Sequence, residues 1–214
     1  MNVSEAVRER RAVKHFDPEY SMPEKTFRTL MENAILTPTA FNIQNWRFVR
    51  VTDPGQCKKI RAVAWDQAQV TDASELLVLC FDTHAWNREP ARYWRKAPQE
   101  VQDFLLPALD AYYRDKPQIV RDEGMRSCGL AGQTIMLMAR ELGYDSCPMD
   151  GFDYAAVAEI ISLPGDYEIA FMIAIGKGMS IQLLTHLLSA RVGVYSYRAE
   201  ICPKTVCHTF SDCR

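Results

Sequence analysis

Apolar residues in this chain alternate between one-sided helical spacing and continuous runs. Phe27, Leu30, Met31 and Ala34 stand at i, i+3, i+4 and i+7, so this stretch reads as a helix with one buried face. Ser21-Met22-Pro23-Glu24 ahead of it has capping-box form: the hydroxyl accepts from the third helical amide and the glutamate reaches back. Pro38 disfavours helical backbone at Thr37, so the helix is expected to stop near Leu36. After a polar loop, residues 46–51 have strand composition, and residues 57–64 read as a short helix. Residues 76–81, Leu-Leu-Val-Leu-Cys-Phe, form an unbroken apolar run closed by Asp82, which suits a strand covered on both faces. Val101, Phe104, Leu105, Ala108, Leu109 and Tyr112 repeat at helical spacing; such an aromatic stripe is more often core or oligomer interface than a ligand wall. Cys128, Ala131, Ile135, Met138 and Leu142 mark one face of a long helix, with Gly143 as the residue just past its end. The almost uniformly apolar residues 135–139 make this helix central. Asp153 is placed to cap a helix over 154–161. Residues 169–175 form a second buried strand, ending at Gly176-Lys177-Gly178. Strands separated by helical stretches, with no repeat or long linker between them, predict a layered α/β sandwich in one domain.

Composition narrows the partners more than it changes the fold. With 48% hydrophobic and 24% charged residues the chain is an ordinary globular mixture. A formal charge of −2 gives no electrostatic reason to expect nucleic acid or an anionic membrane. No apolar run approaches the ~20 residues of a membrane span. The first residues, Met1-Asn2-Val3-Ser4-Glu5, lack the basic and apolar regions of a secretory signal. Seven cysteines is an odd number, and Cys57, Cys80, Cys128 and Cys147 are far apart, so buried free thiols in a reducing, cytoplasmic compartment are expected.

Familiar chemical motifs are missing. The chain contains no P-loop, no Gly-x-Gly-x-x-Gly after a strand and no Gly-x-Ser-x-Gly elbow. His15, His84, His186 and His208 have no metalloprotease spacing, and Cys202, Cys207, His208 and Cys213 match no zinc module, so no metal is expected. What stands out is Arg10-Arg11-Ala12-Val13-Lys14, at the end of an amphipathic segment over 4–11. Its cations suit the negative end of a helix dipole, and equally an anion site in which arginine grips a phosphate and lysine faces a second electron-rich group. Residues 37–45 form either a plain connector or a loop offering Thr39, Asn42 and Gln44 as neutral hydrogen-bonding groups. Gly151, in the loop 148–153, permits a positive φ or close approach of the backbone to a ligand. An enzyme lacking an evident nucleophile or acid/base pair relies on a cofactor.

Four blocks in order over residues 1–180 resemble the nitroreductase family of FMN-dependent oxidoreductases, in its small NAD(P)H-dependent branch. They are Arg10 to Lys14 with Phe16-Asp17; Pro38 to Trp46; Trp65 to Ser74, with Gln67 and Gln69; and Pro148 to Asp153 with Gly176-Lys177-Gly178. The resemblance implies an α+β fold, a single-domain sandwich whose central mixed, mainly antiparallel sheet is flanked by helices. It implies an FMN-binding domain over 1–180 and a homodimer with FMN at the interface. Arg10 would hold the FMN phosphate, with Arg11 and Ala12 lining that end. Lys14 would stabilise charge at the flavin N1/O2 edge, with no catalytic side chain needed. Thr39, Ala40 and Asn42 would come from the partner subunit. Gln69 would face the flavin with Gln67 beside it, and the Asp150-Gly151 backbone would approach N5. NAD(P)H would be co-substrate, and a nitroaromatic or quinone would be reduced in a ping-pong cycle. Relatives that remove halogen or fragment flavin, and a flavin-binding redox sensor with little turnover, are the alternatives. The chain departs from the family in its atypical tail over 181–214, which lacks the usual proline-rich basic segment. There Arg191 stands in for the phosphate-binding cation by spacing alone.

Overall fold

A computed structural model describes residues 1–179 of the chain. Four strands, β1 (Trp46–Val51), β2 (Glu75–Asp82), β3 (Asp145–Met149) and β4 (Tyr167–Gly176), form one sheet in the order β1-β2-β4-β3. All its ladders are antiparallel, and among the described residues the parallel pairing is an isolated bridge between Ala12 and Ser146. Every residue of β2 is buried, in keeping with its unbroken apolar run. Side chains alternate across a strand. Leu77, Leu79 and Phe81 therefore meet α2 (Glu24–Ala34) and α6 (Pro117–Glu141) on one face. Leu76, Val78 and Cys80 meet α3 (Pro54–Val63) and α7 (Tyr154–Ile160) on the other. The result is a helix–sheet–helix sandwich with α+β connectivity.

Helix α6 is central as expected: Cys128, Ala131, Ile135 and Ala139 are fully buried. Gly124 lets it lie directly on the sheet, because a Cβ there would come within 2.2 Å of the Phe81 ring. Gly143 ends it with φ 79°. Asp153 caps α7 by accepting from the Ala156 amide. No helix among the described residues is long and apolar enough to cross a membrane. Cys57, Cys80, Cys128 and Cys147 are free thiols, the last three buried.

Several local readings are corrected. Ser21 does not cap α2: Pro23, with ψ 137°, occupies the cap position, and the Glu24 carboxylate is drawn instead to Arg50 at 2.7 Å. Helix α1 (Val3–Glu9) stops before the cationic stretch, since Arg10 turns to ψ 127° and only Arg8 lies in the last turn. The dipole reading of Arg10, Arg11 and Lys14 therefore fails. In α5 (Gln99–Tyr113) only Leu109 of the aromatic stripe is buried, Tyr113 beyond the stripe is buried with it, and Phe104 is 73% exposed. Strand β3 was not foreseen. It is short, has little strand composition and contains Pro148, which the ladder tolerates because β3 is an edge strand. The tail, with Arg191 and the last three cysteines, lies outside the described residues.

Candidate functional site

Residues 10–16 leave α1 and run along the outer edge of β3. The Val13 amide donates to the Ser146 carbonyl at 3.0 Å, and Phe16 bridges to Gly178. Val13 and Phe16 turn into the core, while Lys14 and His15 between them are exposed. Arg11 donates to the Arg8 and Arg10 carbonyls at 2.6 and 2.8 Å. Among the described residues Arg10, Arg11 and Lys14 form no ion pair. The carboxylates nearby are taken by Arg140, which pairs with Glu9 at 2.9 Å and Asp145 at 3.2 Å. Among the described residues, three cations thus stand at this edge without an ion-pair partner.

A chain of amides meets the same edge. Gln69 opens the short helix α4 (Gln69–Asp72) and is 3% exposed. Its Nε2 donates to Gln67 Oε1 at 2.9 Å and lies 4.0 Å from Cys147 Sγ. Gln67 Nε2 in turn donates to the Gly151 carbonyl at 2.9 Å. Burial pushes the Cys147 thiol pKa up, against an opposing pull from the Lys14 charge and the Gln69 hydrogen bond. The bond from the Val13 amide to the Ser146 carbonyl sets the adjoining Lys14 alongside this part of β3. Lys14, Gln67, Gln69 and Gly151, scattered in sequence, are gathered around β3.

Gly151 has no left-handed φ. Close approach is what it provides: a Cβ would sit 2.5 Å from the Trp65 ring. Trp65 itself is 79% exposed at φ 55°, followed by Asp66 at φ 52°. This backbone is uncommon for non-glycine residues, and strain of this kind gathers at ligand sites. Arg61 holds the turn through Asp66 and Thr71 at 2.7 and 2.9 Å. Sequence reasoning did not single out Trp65 or Cys147. The available signals were their positions, one at the start of the third block and the other next to Pro148.

Thr39, Ala40 and Asn42 are not part of this cluster. They sit in the loop that leads into β1, where the Gln44 amide donates to Thr39 Oγ1 at 2.9 Å and Gln44 Nε2 to Asn42 Oδ1 at 3.2 Å. Ile43 anchors the loop beside Leu109 and Tyr113. Strand β1 is the opposite edge from β3, three strand spacings away, or about 14 Å. Asp82, His84 and Asp166 also lie together, but the Asp82 carboxylate faces Arg47 and Arg88 at 3.3 Å each and Asp166 pairs with Arg88, so guanidinium groups occupy the place of an ion.

The Nitroreductase family profile matches residues 7–177. Protein DrgA of Synechocystis sp. is 50% identical, over 83% of this chain and 84% of its own length. MhqN of Bacillus subtilis, to which NAD(P)H nitroreductase activity is ascribed, is 30% identical over 80% of this chain and 86% of its own. A structure from Exiguobacterium sibiricum, solved in complex with FMN, superposes with a TM-score of 0.75 at 26% identity, covering 86% of this chain and 93% of that one.

Proposed function

Because the chain belongs to the nitroreductase family, we propose that it is an FMN-dependent oxidoreductase that uses NAD(P)H to reduce nitroaromatics or quinones. The observation that carries this reading is the gathering of Lys14, Gln67, Gln69 and Gly151 at the β3 edge, beside cations that form no ion pair among the described residues. The donor set suits FMN: guanidinium groups for a phosphate, a lysine for an electron-rich edge, and buried amides for a heterocycle. Bound there, FMN would supply the redox chemistry, accepting hydride from NAD(P)H and delivering two electrons to the acceptor in alternate half-reactions.

The protein's part is position and potential. Arg10 would hold the phosphate, with Arg11 and Ala12 lining that end. Lys14 would place positive charge where reduction builds negative charge. Gln67 fixes Gln69 by accepting its amide hydrogen while anchored to Gly151, so the amides are oriented before any ligand arrives. The Asp150-Gly151 backbone would form the near wall, and no side-chain acid or base would be required.

The opposite-edge position of Thr39, Ala40 and Asn42 supports a homodimer in which a second copy brings its loop to this cluster. Exposed apolar residues Val3, Val7, Ile35, Leu36 and Leu130 on α1, the end of α2 and α6 offer a surface for it. We assign the FMN-binding unit to residues 1–180 and a cytoplasmic setting to the protein, consistent with its free thiols. The test is spectroscopic. The purified protein should carry a visible flavin band that NAD(P)H bleaches and menadione restores. A colourless protein that takes up no FMN would end this reading.

A further inference from the structure

A cavity of about 410 Å³ opens at the β1 edge. Its walls carry Arg47, Arg92 and Arg95 together with Trp46, Tyr93 and Asn42, and no acidic side chain. In a chain of net charge −2, three guanidinium groups facing one concavity is a local excess that composition does not explain. Arg47 is held by the Gln44 and Trp46 carbonyls at 2.8 Å each. Among the described residues its only carboxylate contact is with Asp82, whose single charge is shared with Arg88, each at 3.3 Å. Arg92 donates to the Tyr93 hydroxyl, and Arg95 Nε to the Arg92 carbonyl at 3.2 Å. Among the described residues neither Arg92 nor Arg95 has an acidic partner. Trp46, another wall residue, is 8% exposed, and its indole N–H is buried with no acceptor. Like charges confined in a cleft raise the local concentration of anions, and the planar forks of arginine match the oxygens of a phosphate or carboxylate. The rings of Trp46 and Tyr93 add a flat apolar wall beside that charge.

We propose that this cavity is a subsite for an oxyanion, a phosphate or carboxylate group carried by an aromatic ligand. Within one chain it is separate from the Arg10–Lys14 edge, which lies across the sheet. Resting on the oxidoreductase reading, the two sources of such a group are the extra phosphate of NADPH and the acidic substituent of an aromatic acceptor.

Calorimetric titration of the full-length protein with inorganic phosphate and with 4-nitrobenzoate tests the subsite without any turnover. Its failure is therefore distinct from a failure of NAD(P)H to bleach the flavin. Both probes should bind saturably, and the R92Q/R95Q double variant should weaken each by about tenfold or more. The single R95Q change, at an exposed position, should give a smaller loss in the same direction and serves if the double variant does not fold. A raised ratio of KM for NADPH over NADH in the variant would identify the cosubstrate phosphate as the source. A raised ratio for 4-nitrobenzoate over nitrobenzene would identify the acceptor. Equal probe affinities in wild type and variants would overturn the proposal. So would loss of bound FMN from the variants, which would give these arginines to the cofactor.

Discussion

The two edges of the sheet handle polar groups in different ways. At the β3 edge the amides of Gln67 and Gln69 are joined to each other and to Gly151 before any ligand binds, although the Ser146 hydroxyl on β3 is buried without a partner among the described residues. At the β1 edge Asn45 Oδ1 and Trp46 Nε1 are buried without partners, and Phe41, Asn42 and Gln44 all have positive φ. Buried polar atoms left unpaired cost free energy, and so does left-handed backbone in a bulky residue. The first edge is a largely hydrogen-bonded wall beside exposed cations. The second is a strained loop beside clustered arginines. A site shared between copies of the chain would need both kinds: a rigid half to orient a ligand and an adaptable half to close on it.

The largest effect that probes this contrast lies between the edges. Ile173 is fully buried and pairs with Leu77 on β2 and Pro148 on β3. Ile173→Ala should lower stability by about 2–5 kcal/mol in urea unfolding and loosen both edges together. A variant that unfolds at the wild-type midpoint would show that the edges do not depend on one core. Next comes Arg10→Ala, which removes a charge-assisted phosphate contact of about 1.5–3 kcal/mol, or one to two decades in FMN affinity, with little change in melting. Flavin content that survives dialysis unchanged would remove Arg10 from the site. Lys14→Met should then lower the flavin midpoint potential by about 30 mV for each 1.4 kcal/mol of lost stabilisation, with oxidised FMN retained. A superimposable spectroelectrochemical titration would contradict that role.

The smallest effect concerns the thiols of the core and the β3 edge. Burial pushes Cys80 up to about 12 and raises Cys128 and Cys147 as well. Their neutral forms are therefore favoured in the folded state, and that contribution is complete below the ordinary thiol pKa of about 8.5. As pH rises above this value the unfolded chain releases protons that the folded one keeps, so stability falls, for Cys80 until about pH 12. One pH unit into this window the loss should be about 1 kcal/mol per buried thiol. A melting temperature that stays flat from pH 8 to 10 in wild type, and matches a Cys80→Ala variant throughout, would mean the thiols are not held neutral by burial.

Much of the sandwich was legible because burial leaves a local record. The apolar run over 76–81, the spacing of Cys128, Ala131 and Ile135, and the caps at Gly143 and Asp153 each depend on a few neighbouring residues, so the pattern alone determines the element. The four blocks of family motif were legible for a similar reason, since each needs its own residue types in a short stretch. Other features depended on partners far away in sequence. Strand β3 has almost no propensity of its own and exists because β4 pairs with it on one side and residues 12–13 on the other. Ser21 lost its capping role once Arg50, on another element, captured Glu24. The amide chain from Gly151 through Gln67 and Gln69 to Cys147 spans more than eighty residues. The arginine cavity joins residues on both sides of β2. A side chain's charge or hydrogen-bonding capacity is written in the sequence, but whether another group satisfies it is decided only when tertiary packing sets the distances.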